Sequence, residues 1–393
     1  MRINSPAFFT FLFLAAALLL AVFPPDVGEP PPGKDVFMVT DMSGNAVKLE
    51  GPAARIMVIT PVTWHYLAIT ASDQAIIMIP PYMKVEIKAS VLGKIYPRLN
   101  SIPVSFWNNS GIAPFSVEQA MLINPDTVLS WDYVSHTFEN VKFPGLVLIA
   151  RDRGDKTKLF QVLGELSGRN ERVDWLWARH QKEMDGLLAS IDDDVEEKNL
   201  IVLSNTNLAL WNNAGNPRFN QLFRQLKGIN LAEGLKFGSG QNTVSPALIN
   251  LEALLKLDPD IIYINPYTLA STRIDVPEIY KNPLMRGLKA VKNRRVYHMP
   301  SGAARLEGPI EEPLFMTWMY LTMHPELETS MDLRAKIKDG FMDMYDYQMS
   351  EKDIDDWLRL NENIMSSGYG RFLQATDSPP GPASIDSGGL FGE

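Results

Sequence analysis

The chain has 393 residues, of which 46% are hydrophobic and 21% are charged, so it is long enough for two domains with ordinary hydrophobic cores. It carries 46 acidic and 37 basic residues, a formal net charge of −9, which argues against a nucleic-acid-binding protein because phosphate contacts need a basic surface. It has no cysteine, which excludes disulfides, thiolate metal sites, a cysteine nucleophile and a lipid anchor attached through cysteine.

The amino terminus predicts export. Residues 8–23 read FFTFLFLAAALLLAVF, an apolar run that follows a short start with Arg2 as its one basic residue. A membrane-spanning helix needs about 20 such residues and a signal-peptide core about 7–15. Residues 1–23 are therefore expected to be a cleaved signal peptide or a retained membrane anchor. The proline-rich residues 24–36 predict an extended spacer.

Short apolar runs rich in β-branched residues alternate with helical patterns from residue 37 to residue 372. This alternation is typical of an α/β fold whose parallel strands are covered on both faces. The tail 373–393 is rich in proline, glycine and serine and is expected to be disordered. The predicted strands are 54–60, 75–79, 126–131, 146–150, 200–204 and 261–265.

An internal repeat indicates how the chain is divided. SVEQAMLINPDTVLS at 116–130 aligns with NLEALLKLDPDIIYI at 250–264, which matches Glu118 with Glu252 and one Pro-Asp pair with the other. Each copy predicts a helix, a turn and a buried strand. We therefore expect two similar α/β lobes, at 37–153 and 193–326, the alternative being a chance match between apolar patterns.

Residues 154–192, between the two lobes, have apolar residues at spacings of three and four and predict an amphipathic inter-lobe helix. About 35 helical residues would reach about 50 Å if continuous. The sequence leaves open a break at Ser167 and Gly168. Residues 327–372 predict a C-terminal extension of two short amphipathic helices that pack against a lobe, and no function follows from their sequence.

Five segments, in this order, resemble the helical-backbone class of substrate-binding proteins of ABC importers, whose members carry iron siderophores, haem, cobalamin or metal ions. The resemblance covers roughly residues 37–326; the chain lacks the family's usual glycine after the first helix, and 327–372 extends beyond the common core. The segments are VTDMSGNAVKLEGPAARIMVITP, the two copies of the repeat, LFQVLGELSGRNERVDWLWARHQKEM and NPLMRGLKAVKNRRVYHMP.

The resemblance implies two Rossmann-like lobes joined by a long rigid α-helix, with a ligand cleft between the lobes. It further implies a periplasmic monomer without a cofactor of its own, which captures a small molecule and delivers it to an ABC permease in the inner membrane.

Ligands of open α/β sheets bind outside the carboxyl ends of the strands, so candidate contacts lie just after predicted strands. Aromatic walls with a few polar groups suit a bulky metal chelate. Each tryptophan has the alternative of packing inside a lobe. The aromatic candidates are Trp64, Trp107, Trp131, Trp211 and Tyr267.

Arg305 lies in the glycine-containing stretch SGAARLEGP, which the resemblance places at the cleft. A guanidinium there would bind the anionic oxygens of a ferric chelate or a carboxylate. The alternative is an ion pair with Glu307, Glu311 or Glu312 nearby in the sequence.

Glu118 and Glu252 are candidates for permease docking. The resemblance implies that one acidic residue on the outer surface of each lobe meets arginines of the permease. Their alternative role is to stabilise a helix by lying near its positive amino-terminal end.

These features predict an exported solute-binding protein that captures a metal chelate, first of all a ferric siderophore. Cobalamin, haem or a bare metal ion bound by the same fold are alternatives, as is a membrane-tethered sensor or scaffold. The five histidines show no H-x-H or H-E-x-x-H spacing, which disfavours the bare ion. No common catalytic motif occurs, so no enzyme is expected, although a hydrolase with a dispersed triad stays open.

Overall fold

The structure is a computed structural model of the chain. It describes residues 37–60, 62–104, 122–133, 145–150, 155–203, 217–233, 235, 249–265, 275–303, 306 and 308–374. A division of the chain after residue 37 leaves a second unit, residues 38–393, which is compact. Everything below concerns the second unit, apart from Phe37 in the first strand. The predicted export segment, the spacer and all but two residues of the predicted tail lie outside the described residues.

The described residues form ten strands in three sheets. Strands β1 and β2 form a two-stranded sheet, and the other eight form two parallel four-stranded sheets of order β4-β3-β5-β6 and β10-β9-β7-β8. The first four-stranded sheet lies in the first lobe and the other in the second. The strands are β1 (Phe37–Thr40), β2 (Ala46–Leu49), β3 (Ile56–Val58), β4 (Ile76–Met78), β5 (Thr127–Trp131), β6 (Leu146–Ile149), β7 (Lys198–Leu203), β8 (Gly228–Asn230), β9 (Ile261–Ile264) and β10 (Val296–His298).

The described residues also form thirteen α-helices and two short 3-10 turns, at Pro97–Asn100 and Tyr369–Phe372. The helices are α1 (Thr63–Thr70), α2 (Pro81–Ala89), α3 (Leu92–Ile95), α4 (Lys156–Ser167), α5 (Asn170–Ala189), α6 (Pro217–Gln225), α7 (Leu251–Leu257), α8 (Val276–Lys281), α9 (Lys289–Lys292), α10 (Glu311–Met323), α11 (Leu333–Tyr345), α12 (Glu351–Leu358) and α13 (Leu360–Asn363).

All six predicted strands are present, each within two residues of its predicted bounds. Strands β3 and β9 are buried along their whole length, as expected for parallel strands covered on both faces. The mixed α/β architecture with parallel sheets confirms the predicted fold class.

The Pro-Asp pair of the repeat has the same contact in each lobe. The carboxylate of Asp126, just before β5, accepts hydrogen bonds from the backbone N–H groups of Ala54 and Arg55 at 2.8 and 2.9 Å. The carboxylate of Asp260, just before β9, accepts one from the N–H of Asn199 at 2.9 Å. Each aspartate therefore holds the amino-terminal end of the neighbouring strand, β3 or β7.

The inter-lobe segment consists of two helices, because the break left open by the sequence is present. Helix α4 ends at Ser167, and Gly168 caps it with a φ of +67°, in the left-handed region that favours glycine. Helix α4 packs on α1 of the first lobe, and α5 packs on α10. The 20 residues of α5 form a rod of about 30 Å.

Candidate functional site

The edge of the first lobe begins where β3 leads into α1. Trp64, the second residue of α1, follows β3 as predicted, and its side chain is 1% exposed. It is enclosed because α1 is buried from Thr63 to Ile69, with α4 and α11 among the helices that pack on it. Among the described residues, the hydroxyls of Thr60 and Thr63 are buried and have no hydrogen-bond partner.

An aromatic pair lies at the carboxyl end of β5. Trp131 is the last residue of this strand, and its ring stacks on Tyr133 with a centroid separation of 6.1 Å and an interplanar angle of 26°. Trp131 is 9% exposed and Tyr133 is 43% exposed. The pair therefore presents an aromatic surface at the strand edge where ligands of this kind of sheet bind.

On the second lobe, β10 leads into residues 299–310, which we call the cleft loop, and then into α10. The first residue of α10, Glu311, is completely buried. Its carboxylate accepts hydrogen bonds from the backbone N–H of Ala303 at 2.8 Å and of Leu306 at 3.1 Å. The side chain of one helix residue therefore holds two points of the loop that precedes it.

The next residue, Glu312, connects the second lobe to the rest of the molecule. Its carboxylate lies 3.3 Å from the Nζ of Lys156 at the start of α4 and 3.3 Å from the Nε2 of His180 on α5. Lys156 and Glu312 are both buried. Charges removed from water in this way need close opposite partners, so this cluster favours one arrangement of α4, α5 and α10.

A row of ring contacts runs from α1 to the same cluster. His65 lies edge-on to Phe160 with a centroid separation of 5.5 Å, Phe160 to Trp177 at 5.6 Å, and Trp177 to His180 at 5.0 Å. A Cβ at Gly308 of the cleft loop would lie 3.3 Å from the ring of Phe160. The cleft loop and α4 are thus in close contact at the junction of the lobes.

A cavity of about 330 Å³ lies where the first lobe, the cleft loop and the C-terminal extension meet. Its lining carries both signs of charge, with lysines from the first lobe and aspartates from α12. Ser301 of the cleft loop also lines it, and the Ser301 N–H donates to the carbonyl of Trp357 at 3.1 Å. The extension therefore touches the loop that carries the predicted ligand arginine.

Five of the predicted functional residues lie outside the described residues: Trp107, Trp211, Tyr267, Arg305 and Glu118. Glu252 is described, and it is exposed in the first turn of α7. Asn250 caps this helix by accepting a hydrogen bond from the N–H of Ala253 at 2.7 Å. The position of Glu252 is compatible with docking and also with stabilisation of the helix end.

Two further observations concern metal binding and membrane spanning. Within the described ranges, no group of three or more His, Cys, Asp or Glu side chains could hold a metal ion. No helix in the same part of the chain is long and apolar enough to cross a membrane. The apolar run 8–23 lies outside the described residues.

The carboxylates of Glu311 and Glu312 are the contacts that sequence reasoning missed, since it considered them solely as partners of Arg305. The signal was present as two consecutive glutamates at the start of the apolar stretch EEPLFMTWMYLTM. Acidic residues are favoured in the first turn of a helix, and two in a row before a buried helix must find partners in the interior.

Comparison with known proteins gives the class. Residues 115–303 match the protein-family model described as periplasmic binding protein. No curated protein sequence matches the chain. A periplasmic solute binding protein from Veillonella parvula has a TM-score of 0.72 and 25% sequence identity, covering 84% of this chain and 99% of that one.

Two further solved structures share the fold. The Helicobacter pylori protein CeuE, in a Ni-His complex, has a TM-score of 0.61 and 19% identity, covering 82% of this chain and 99% of that one. The periplasmic molybdate-binding protein MolA of Haemophilus influenzae, bound to molybdate, has a TM-score of 0.61 and 16% identity, covering 80% of this chain and 99% of that one.

The fold is that of the two-lobed solute-binding proteins of ABC importers. Residues 115–303 match the model of the periplasmic binding protein family, and the resemblance found in the sequence is confirmed. Members of this family bind solutes in the periplasm for ABC permeases and are not enzymes, as the sequence predicts for this chain.

Proposed function

We propose that the protein is an exported solute-binding protein that captures a metal chelate, with a ferric siderophore as the first candidate, and delivers it to an ABC permease. The stacked pair of Trp131 and Tyr133 at the carboxyl end of β5 is the observation that carries the proposal. A flat, partly exposed aromatic surface suits the rings and the apolar edges of a bulky chelate.

The proposed ligand contacts are Trp131 and Tyr133 from the first lobe and Arg305 from the cleft loop, with Trp107, Trp211 and Tyr267 on the other strand-end segments. Arg305 would pair with the anionic oxygens of the chelate. The side chain of Trp64 on α1 is buried, which favours packing inside the lobe over direct contact with the ligand.

Cobalamin, haem and a bare metal ion are the alternative ligands. The related structures support metal-containing ligands in general, since one holds Ni-His and another molybdate. A chelate is preferred to a bare ion because the histidines show no H-x-H or H-E-x-x-H spacing.

We further propose that the chain acts as a periplasmic monomer that docks to the permease through Glu118 and Glu252, one per lobe. The exposure of Glu252 supports this role. Exposed carboxylates contribute more to orientation and capture than to affinity. The run 8–23 serves as a signal peptide or, in the sensor alternative, as an anchor; the mass of the mature protein from its native compartment distinguishes the two.

The ligand class is tested by calorimetric titration with ferric enterobactin, ferrichrome, haemin and cyanocobalamin. We expect one of the ferric siderophores to bind with a Kd below about 1 μM, which corresponds to a binding free energy of about −8 kcal/mol. Trp131→Ala should weaken that binding at least tenfold. The control is Trp175→Ala, which alters a half-exposed tryptophan on α5 and should leave the Kd unchanged. If none of the four compounds binds, the proposal that the ligand is a metal chelate is contradicted.

A further inference from the structure

The strongest unassigned feature near the cleft is the carboxylate of Glu311. It is fully buried, yet it belongs to a residue type that is almost never buried without partners. Two backbone N–H groups, those of Ala303 and Leu306, donate to its two oxygens at 2.8 and 3.1 Å. Its place in the first turn of α10 adds the favourable field of the helix end.

The direction of these bonds distinguishes Glu311 from an ordinary helix cap. A capping side chain accepts hydrogen bonds from the N–H groups of its own first turn. Glu311 instead accepts from residues eight and five positions before it in the chain. The carboxylate therefore closes a ring of main chain between the end of β10 and the start of α10.

Two backbone features of the loop fit this carboxylate. A Cβ at Gly302 would lie 2.2 Å from an oxygen of Glu311, so the carboxylate in this position requires glycine at residue 302. Leu306 has a φ of +59°, a left-handed conformation that is unfavourable for leucine. The bond from its N–H to Glu311 helps to hold it there.

We propose that Glu311 is a positioning residue for the ligand site, because it fixes the two described residues that flank Arg305 in the cleft loop. Arg305 stands between Ala303 and Leu306 in the sequence, so the loop that carries it is held at a residue on either side. The inference rests on the proposed function for the ligand, whereas the anchoring of the loop rests on the contacts of Glu311 alone.

The contact between α10 and the inter-lobe helices depends on the neighbouring residue Glu312, whereas the cleft loop is held by Glu311. It contacts Lys156 and His180, and the described contacts of Glu311 are to the loop. Loss of the Glu311 carboxylate should therefore loosen the loop while the contact between α10, α4 and α5 persists.

The test compares Glu311→Ala and Glu311→Gln with a matched control, Asn230→Ala. Asn230 is also buried in the second lobe, and its side-chain oxygen likewise accepts a backbone N–H nearby, that of Ala232 at 3.1 Å. Amide hydrogen exchange of the full chain without ligand is measured first, because it reads the loop independently of any ligand.

We expect the amides of Ala303 and Leu306 to exchange at least tenfold faster in Glu311→Ala. In Glu311→Gln one of the two should accelerate, since the amide keeps a single acceptor oxygen. Asn230→Ala should leave both unchanged. Glu311→Gln, which preserves size, keeps the comparison valid if the alanine variant fails to fold. Unchanged exchange at both amides, or equal acceleration in the control, would overturn the anchoring.

The affinity for ferric enterobactin or ferrichrome, whichever the parent binds, is then measured by calorimetry. Glu311→Ala should weaken binding at least tenfold, Glu311→Gln by an intermediate factor, and Asn230→Ala by no more than twofold. Equal affinity in Glu311→Ala and the parent would overturn the positioning role. If the parent binds none of the four probes, the proposed ligand class fails, and the exchange data alone decide whether Glu311 anchors the loop.

Discussion

Lys94 and Asp353 form an ion pair that joins the first lobe to the C-terminal extension. Asp353 is nearly buried at the start of α12, where it also completes a capping box with Ser350. The extension is tied to the second lobe as well, because Asn363 bonds to the backbone N–H and carbonyl of His298 at 2.7 and 2.8 Å. The segment for which the sequence suggested no function thus connects the two lobes.

The pH dependence of stability should report on this ion pair. Burial raises the pKa of Asp353, but the bonds from Lys94 and Ser350 outweigh it and lower the pKa from 3.8 to about 2. A carboxyl whose pKa is lower in the folded state stabilises the fold above about pH 4, and this contribution is lost as the pH falls from about 4 to about 2.

Asp353→Asn should therefore lower the free energy of unfolding by about 2 kcal/mol at pH 7, with a smaller difference from the parent at pH 3. Urea denaturation at both pH values measures it. The control is Asp356→Asn on the same helix, whose exposed carboxylate should contribute little. An equal loss in both variants, or a loss that does not shrink in acid, would contradict the assignment.

Removal of the Glu312 carboxylate should be costly because it leaves Lys156 buried without that partner. We expect Glu312→Gln to lower the free energy of unfolding by about 3 kcal/mol. The control is the highly exposed Glu196, which pairs with Lys198, and Glu196→Gln should cause no measurable change. Thermal unfolding of both variants is the measurement. Similar midpoint temperatures for Glu312→Gln and Glu196→Gln would show that the buried cluster of Glu312, Lys156 and His180 does not stabilise the contact between α10, α4 and α5.

The strands could be predicted because their signal is local. Strand β9 reads IIYI and is buried throughout, so its composition and its neighbours in the sequence indicate it without knowledge of the fold. Strand β8 has three residues, and its middle residue Ile229 is exposed, so no apolar run marks it. The Pro-Asp repeat predicted the two lobes because Asp126 and Asp260 make equivalent backbone contacts.

The site was less predictable because its contacts are not local. Trp131 follows from the rule that ligands bind at strand ends, and its partner Tyr133 comes two residues later in the chain. The enclosure of Trp64 depends on α4 and α11 covering α1, and α11 begins more than 250 residues later in the chain. The contacts of Glu312 with Lys156 and His180 likewise join residues more than 130 positions apart.

Two glycines of the inter-lobe segment should respond oppositely to alanine. Gly168 has a φ of +67° and lies close to Pro52, so Gly168→Ala should destabilise the protein by about 1 kcal/mol. Gly186 lies within α5 with open space around it, so Gly186→Ala should stabilise by up to about 1 kcal/mol. Urea denaturation measures both. The same sign for both would contradict the break between α4 and α5.

The extension should restrain movement of the lobes against each other. Besides the Lys94–Asp353 pair, it contacts the inter-lobe helix through Lys336 and Glu183 at 2.5 Å. Because the chain has no cysteine, spin labels can be placed uniquely at cysteines introduced at the exposed Lys48 of the first lobe and Lys292 of the second. Pulsed electron–electron double resonance then measures the distance between the two labels, one on each lobe.

In this doubly labelled protein we expect a narrow distance distribution that is nearly the same with and without gallium(III) enterobactin, a diamagnetic stand-in for the ferric chelate. Lys94→Ala should broaden the distribution of the free protein, since it removes a contact that holds the extension to the first lobe. Lys352→Ala, which removes an exposed pair within α12, should not broaden it. A broad distribution in the parent, or an equal effect of the two lysine variants, would show that the extension does not restrain the lobes.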